Sequence, residues 1–183
     1  MKKICILVLS CFSLAVSAQT LTPLAAAIFK NVKTKISITD KNAIAKLTGL
    51  SLAADKSYEM DGMPVYSVNV YPVDLNKDTK EEVFVVIGSS AIYGQTEQGF
   101  IIFMKNAGGS YVINTNETGT PLILKTASLG YPDILVGGPG FDLMPVLRWN
   151  GKTYVFNRKA NAETTPSLGL EDVSAVYTKT IGP

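Results

Sequence analysis

No histidine occurs anywhere in the 183 residues. That absence excludes Ser-His-Asp and Cys-His catalysis, histidine-ligated zinc and a histidine pH switch. Cysteine is nearly absent as well: Cys5 and Cys11 are the only two, both close to the start. The chain after Cys11 therefore offers no disulfide, no thiolate metal site and no cysteine nucleophile. An excess of one charge is missing too, with 17 basic residues against 15 acidic ones. Such a balance gives no electrostatic case for nucleic acid or an anionic membrane surface as a partner. Long apolar runs are also lacking. The run from Ile4 to Val16 falls short of the ~20 residues that a spanning helix needs, so no membrane span is expected. What is left is carboxylate, Lys, Tyr and Ser/Thr chemistry, together with hard cations held by oxygen.

The first residues are Met1-Lys2-Lys3, an apolar middle, and Val16-Ser17-Ala18 before Gln19. A positive head, an apolar run and small residues at the end have the pattern of a secretory signal peptide. Residues 1–18 are thus expected to be removed after Ala18, giving an exported protein, periplasmic or secreted. A lipoprotein signal with Cys11 lipidated fits less well, because Leu9 is a poor residue at its place and Phe12 to Val16 would stay apolar. Both cysteines, Lys2 and Lys3 leave with the leader, so residues 19–183 balance in charge and hold no thiol. Their length suits a single β-rich domain. Without disulfides, such a domain must be held by its core, by bound ions, or by both.

Helical signals come first. Thr22 can cap a helix with Pro23 at its first position, and Leu24, Ala27, Ile28 and Val32 recur at helical spacing. A second short helix is expected to start at Thr39, turn Ile44 and Leu47 inward, and stop at Gly49. Residues 50–64 read as a linker ending in the turn Asp61-Gly62-Met63-Pro64. From Val65 to Tyr71 the period changes to two. Val83–Ile87 follows as a continuous apolar run, suited to a strand covered on both faces. Phe100–Met104, Tyr111–Ile113, Leu122–Leu124, Ile134–Val136, Leu143–Trp149 and Thr153–Phe156 read as further strands, with Val173–Tyr177 as a last one. Pro145 suggests an edge or a bulge. Asn150-Gly151 reads as a two-residue hairpin turn that sets Leu147 opposite Tyr154.

The two halves align. Glu82–Gly88 lies over Asp133–Gly137, and Gly109–Ile113 over Lys152–Phe156. The reading is a mainly β (α+β) fold: two four-stranded antiparallel meanders, blade-like, at 65–114 and 121–157, with two short N-terminal helices covering one side.

Between the period-two segment and the buried run lies Asp74-Leu75-Asn76-Lys77-Asp78-Thr79-Lys80-Glu81-Glu82. Calcium takes ~6–8 oxygen ligands, and alternate side chains of a tightly wound loop converge on one centre. Asp74, Asn76 and Asp78 supply that alternation, the Lys80 carbonyl comes next, and Glu82 can close the shell. Asp74-x-Asn76-x-Asp78-x-x-x-Glu82 followed by Val-Phe-Val-Val resembles the calcium loop of FG-GAP and VCBS-type repeats. In those repeats the loop joins the first two strands of a four-stranded blade, so the resemblance implies fold and ion together. Gly130–Phe141 is similar to a second such unit. Two departures are visible. Thr79 stands where the pattern has glycine at positive φ, and Lys125, Ala127 and Leu129 leave the second copy without ligands. A structural Ca²⁺ site, with Kd ~10⁻⁴–10⁻³ M, therefore competes with a solvated acidic turn.

Gly137-Gly138-Pro139-Gly140 opens no helix and lacks the Lys-Ser/Thr pair, so it is a turn and not a phosphate loop. Asp133 and Asp142 are the carboxylates that a hydrolase would pair. Tyr131, Phe141, Trp149 and Tyr154 offer either a stacking surface or cross-strand packing. The polar stretch Ser89–Gln98 is the first choice for a recognition loop. The leading reading is a non-enzymatic exported binding or structural protein with calcium as a folding ligand and a protein or glycan as partner. A carboxylate hydrolase and an inhibitor or partner of another secreted protein are the alternatives.

Overall fold

A computed structural model describes residues 19–139, 142–161, 163, 165 and 168–181. Residues 1–18, with Cys5, Cys11 and Ala18, and also Gly140, Phe141 and Pro166 lie outside the described residues. Helix α1 (Pro23–Ile28) starts as its sequence dictates, with Thr22 Oγ1 accepting from the Ala25 N–H. Helix α2 (Ile38–Leu47) starts before Thr39, because the Ser37 hydroxyl caps it by accepting from the Asp40 N–H. Ile44 points inward as expected, but Leu47 is exposed. The residue four beyond Ile44 stays on the buried stripe. That residue is Thr48, whose hydroxyl donates to Ala45 O and accepts from Leu50 N.

Residues 50–65 are not a linker. They form a three-stranded antiparallel sheet of β1 (Leu50–Leu52), β2 (Tyr58–Met60) and β3 (Met63–Val65). Asp61 and Gly62, both at positive φ, make the two-residue turn between Met60 and Met63. Such a turn matches the twist of its strands, so a turn signal read as the end of a linker is the middle of a hairpin.

Two larger antiparallel sheets follow. Strands β4 (Ser67–Val73), β5 (Glu82–Gly88), β6 (Gln98–Lys105) and β7 (Tyr111–Thr118) lie side by side in chain order. Strands β8 (Thr120–Ser128), β9 (Tyr131–Gly137), β10 (Leu143–Trp149), β11 (Tyr154–Asn161) and β12 (Glu171–Asp172) form the other, in the order β11-β10-β9-β8-β12. The fold is mainly β, but its sheets have three, four and five strands. The connection 89–98 is not plain loop: it holds helix α3 (Ser90–Tyr93) and a 3-10 turn at Gly94–Thr96.

The expected last strand at 173–177 is instead helix α4 (Val173–Ile181). Asp172 Oδ1 accepts from the Ser174 N–H at its start, and Val173, Val176 and Tyr177 pack inward at helical spacing. Propensity for strand in this β-branched run yields to that burial. The 150–153 hairpin is also longer than expected. Trp149 pairs with Tyr154 and Leu147 with Phe156, leaving Asn150 to Thr153 as a four-residue loop. Asn150 Oδ1 accepts from the N–H groups of Lys152 and Thr153 and organises that loop.

Strands β5 and β6 are buried on both faces. On one face Val83, Val85, Ile87, Ile101 and Phe103 meet Ala25, Ile28 and Ile44 of the helices. On the other, Phe84, Val86, Phe100 and Ile102 meet Ile134, Leu147 and Tyr154 of the second sheet and Val173 of α4. The second sheet carries a smaller cluster on its far face: Leu124, Leu135, Val146 and Ala160.

Candidate functional site

The acidic stretch joins β4 to β5 and is wound by its own side chains. Asp74 Oδ1 accepts from the Asp78 N–H at 3.0 Å, and its Oδ2 accepts from the Thr79 N–H at 2.8 Å. Asn76 Oδ1 accepts from the same Asp78 N–H, and Asp78 Oδ1 from the Lys80 N–H. Side chains one, three and five of the loop thus turn toward backbone donors in its interior. Lys77 and Thr79 have φ of +62° and +73°. Thr79 therefore adopts the left-handed conformation that a β-branched residue reaches only at a cost of about 1–3 kcal/mol.

Glu82 is the buried end of the loop, 4 % exposed. It pairs with Val73 across the strands and faces the core between the two large sheets, on the side of Phe84 and Val86. Its Oε2 accepts from the Leu75 N–H at 2.9 Å and its Oε1 lies 3.4 Å from the Tyr131 hydroxyl of β9. Burial and then the charges of Asp78 and Asp74, partly offset by the Leu75 N–H, push the Glu82 carboxyl up to about 7. Burial and the Glu82 charge likewise raise the Tyr131 hydroxyl to about 12. Lys80 meets Asp78 only at 3.6 Å, and both side chains are more than a third exposed. A cleft of about 350 Å³ opens beside the loop, lined by Asp78, Lys80, Glu82, Lys105, Asn106 and Tyr131.

The second sheet has no equivalent loop. Leu129 and Gly130, at positive φ, turn β8 directly into β9, and Lys125 and Ala127 lie within β8. Among the described residues, no group of three or more Asp, Glu, Cys or His side chains is drawn together closely enough to hold a metal ion. No helix among them is long and apolar enough to cross a membrane.

Asp133 and Asp142 differ sharply. Asp142 is exposed. Asp133 has no solvent exposure. Arg148 grips it with two bonds, Nε to Oδ1 at 2.9 Å and Nη2 to Oδ2 at 2.8 Å. Arg158 Nη1 and Thr126 Oγ1 donate to the same Oδ2. Burial alone would raise this carboxyl; the bonds from Arg148, Thr126 and Arg158 outweigh it and hold Asp133 at about 2. It is thus a standing anion tying β8, β9, β10 and β11 together, unsuited to carry a proton near neutral pH. Sequence reading did not find this network. Arg148 and Arg158 meet only because a register shift at Val146/Leu147 brings β11 round.

The aromatic cluster is packing. The Tyr131 ring lies 4.7 Å from Trp149 and 6.4 Å from Tyr154, and Tyr154 is buried with its hydroxyl donating to Pro132 O. Comparison with protein-family models, with curated proteins and with solved structures returned no match.

Proposed function

We propose that the protein is an exported, non-enzymatic binding or structural protein whose 74–82 loop takes a calcium ion as a folding ligand. Asp74, Asn76, Asp78, the Lys80 carbonyl and Glu82 would hold it. The donor set is all oxygen, which suits a hard cation. One observation carries the reading: Glu82 is a buried carboxylate placed where the charges of Asp74 and Asp78 oppose its ionisation. A bound dication would relieve that repulsion and fasten the loop to the core between the sheets. Further support comes from the winding of the loop, including positive φ at Thr79, and from its position between the first two strands of a four-stranded sheet. The blade-like duplication belongs to the same reading, supported by the chain-order pairing of β8 to β11 beside that of β4 to β7.

The test is thermal unfolding with EDTA and then with CaCl₂, alongside metal analysis of the purified protein. Calcium should raise the melting temperature in the wild type and not in Asp74→Asn/Asp78→Asn. A transition that neither EDTA nor calcium moves removes the ion from the reading.

A further inference from the structure

The loop between β10 and β11 begins with Asn150 and Gly151, both exposed. The Asn150 side chain is held by its oxygen alone. Oδ1 accepts from the Lys152 N–H and from the Thr153 N–H, each at 2.9 Å. Neither the amide nitrogen Nδ2 of Asn150 nor the main-chain N–H of Gly151 makes a hydrogen bond among the described residues. Gly151 lies at φ +98°, and an added Cβ there would meet only Leu129 Cδ1, at 3.5 Å. No side chain of its own therefore shields the Gly151 nitrogen.

Asn150 is the only asparagine in the chain that glycine follows. Other asparagines are held differently. Asn42 and Asn114 engage both ends of the amide. Asn76 and Asn106 have a single N–H donor on Oδ1 and precede residues with side chains.

We propose that Asn150 is a site of spontaneous modification promoted by the fold, where the side-chain amide is hydrolysed through a cyclic imide with Gly151. Hydroxide takes the Gly151 amide proton, and the nitrogen's electron pair forms a bond to Asn150 Cγ. The Cγ–Nδ2 bond breaks, and Nδ2 leaves as ammonia with a proton from water. A second water then opens the ring at one of its two C–N bonds. Opening at Cγ leaves aspartate. Opening at the main-chain carbonyl leaves isoaspartate, whose backbone runs through the side chain and is one carbon longer. The net reaction consumes one water and releases one ammonia.

The loop favours the first step in two ways. Ring closure between adjacent residues needs no encounter. Negative charge develops on Oδ1 as Cγ becomes tetrahedral, and two N–H groups already point at that oxygen. In an enclosed oxyanion hole one such donor is worth ~10²–10³ in rate. Water competes for Oδ1 in this exposed loop, so the gain expected is only a few-fold. The product matters for the fold, because Asn114 holds Lys152 O and the Tyr154 N–H through this same loop. Isoaspartate lengthens it. The inference depends on neither the calcium loop nor the binding reading.

The experiment holds the purified protein at pH 8.5 and 37 °C, folded in buffer and unfolded in guanidinium chloride, with circular dichroism to verify each state. Peptide mapping follows the mass gain of about 1 Da that amide hydrolysis brings. Conversion should reach Asn150 before any other asparagine and yield both aspartate and isoaspartate. It should run about threefold or more faster in the folded protein. Earlier conversion at another asparagine, aspartate without isoaspartate, or a folded-state rate short of that ratio overturns the proposal.

Discussion

Asp133 shows how much one side chain can hold. Four hydrogen bonds from Arg148, Arg158 and Thr126 end on its carboxylate, and the group has no contact with water. Removing it takes away four charge-assisted bonds but leaves two guanidiniums that are each about a third exposed and can be hydrated, a loss of ~1.5–3 kcal/mol. Asp133→Ala is expected to lower stability by about that much, read from urea unfolding. The pH dependence follows from the same residue. Its folded value, about 2, lies below the ordinary 3.8, so the folded state binds the proton less readily than the unfolded one. The stabilisation is full at neutral pH, starts to fall near pH 4 and is lost as pH drops through 2. Between pH 7 and 4 the raised Glu82 carboxyl acts in the opposite direction, so the Asp133 effect is read below that range: urea midpoints should fall from pH 4 to 2.5 in the wild type, and much less in Asp133→Asn. Thr79 is the opposite case, a β-branched residue at φ +73°. Thr79→Gly removes left-handed strain of ~1–2 kcal/mol and adds entropy to the unfolded chain. A net gain of about 1 kcal/mol is expected, seen as a higher urea midpoint at unchanged slope.

Among the elements, one bulge residue ties the edge of the first large sheet to a loop of the second. Asn114 has no partner across β6, because the register shifts between Ile102 and Phe103. Freed from the ladder, its side chain accepts from the Tyr154 N–H at 2.9 Å and donates to Lys152 O, and its carbonyl accepts from Thr153 Oγ1. It stitches edge strand β7 to the 150–153 hairpin. Asn114→Ala leaves the Tyr154 N–H without this partner and should cost ~1–3 kcal/mol, with faster hydrogen exchange at Tyr154 as the local readout. At the far edge of the same sheet, α4 lies on β4. The Tyr177 hydroxyl there accepts from Lys33 N and donates to Lys33 O, so the C-terminal helix clasps the N-terminal segment. Elements set by neighbours in the chain were legible. Thr22 with Pro23 marked α1, and Val83–Ile87 announced a strand buried on both faces. Residues 173–181 were not, because their composition favours a strand and only packing against Tyr71 and the second sheet makes them a helix.

At the scale of the whole molecule, three layers meet at β4 to β7, and the acidic loop sits at the rim where the second sheet closes over Glu82. An ion bound only by the folded state stabilises it by mass action. With Kd of ~10⁻⁴–10⁻³ M, 10 mM calcium would add about 1.4–2.7 kcal/mol. For a domain of this size that corresponds to roughly 3–10 °C in melting temperature, a range that calorimetry resolves easily. Removal of the ion should leave the second sheet intact, since its own anchor is the Asp133 network and its β8–β9 turn carries no oxygen-rich loop.

Spacing along the chain was enough to determine the β character, the capped first helix, the oxygen-rich loop and the chemistries that a histidine-free chain lacks, because each depends on residues a few positions apart. Which carboxylates are buried and which guanidiniums meet them were decided only when distant strands came into register. One shifted residue in a β-ladder moves a side chain to a new neighbour, and no local pattern records that shift.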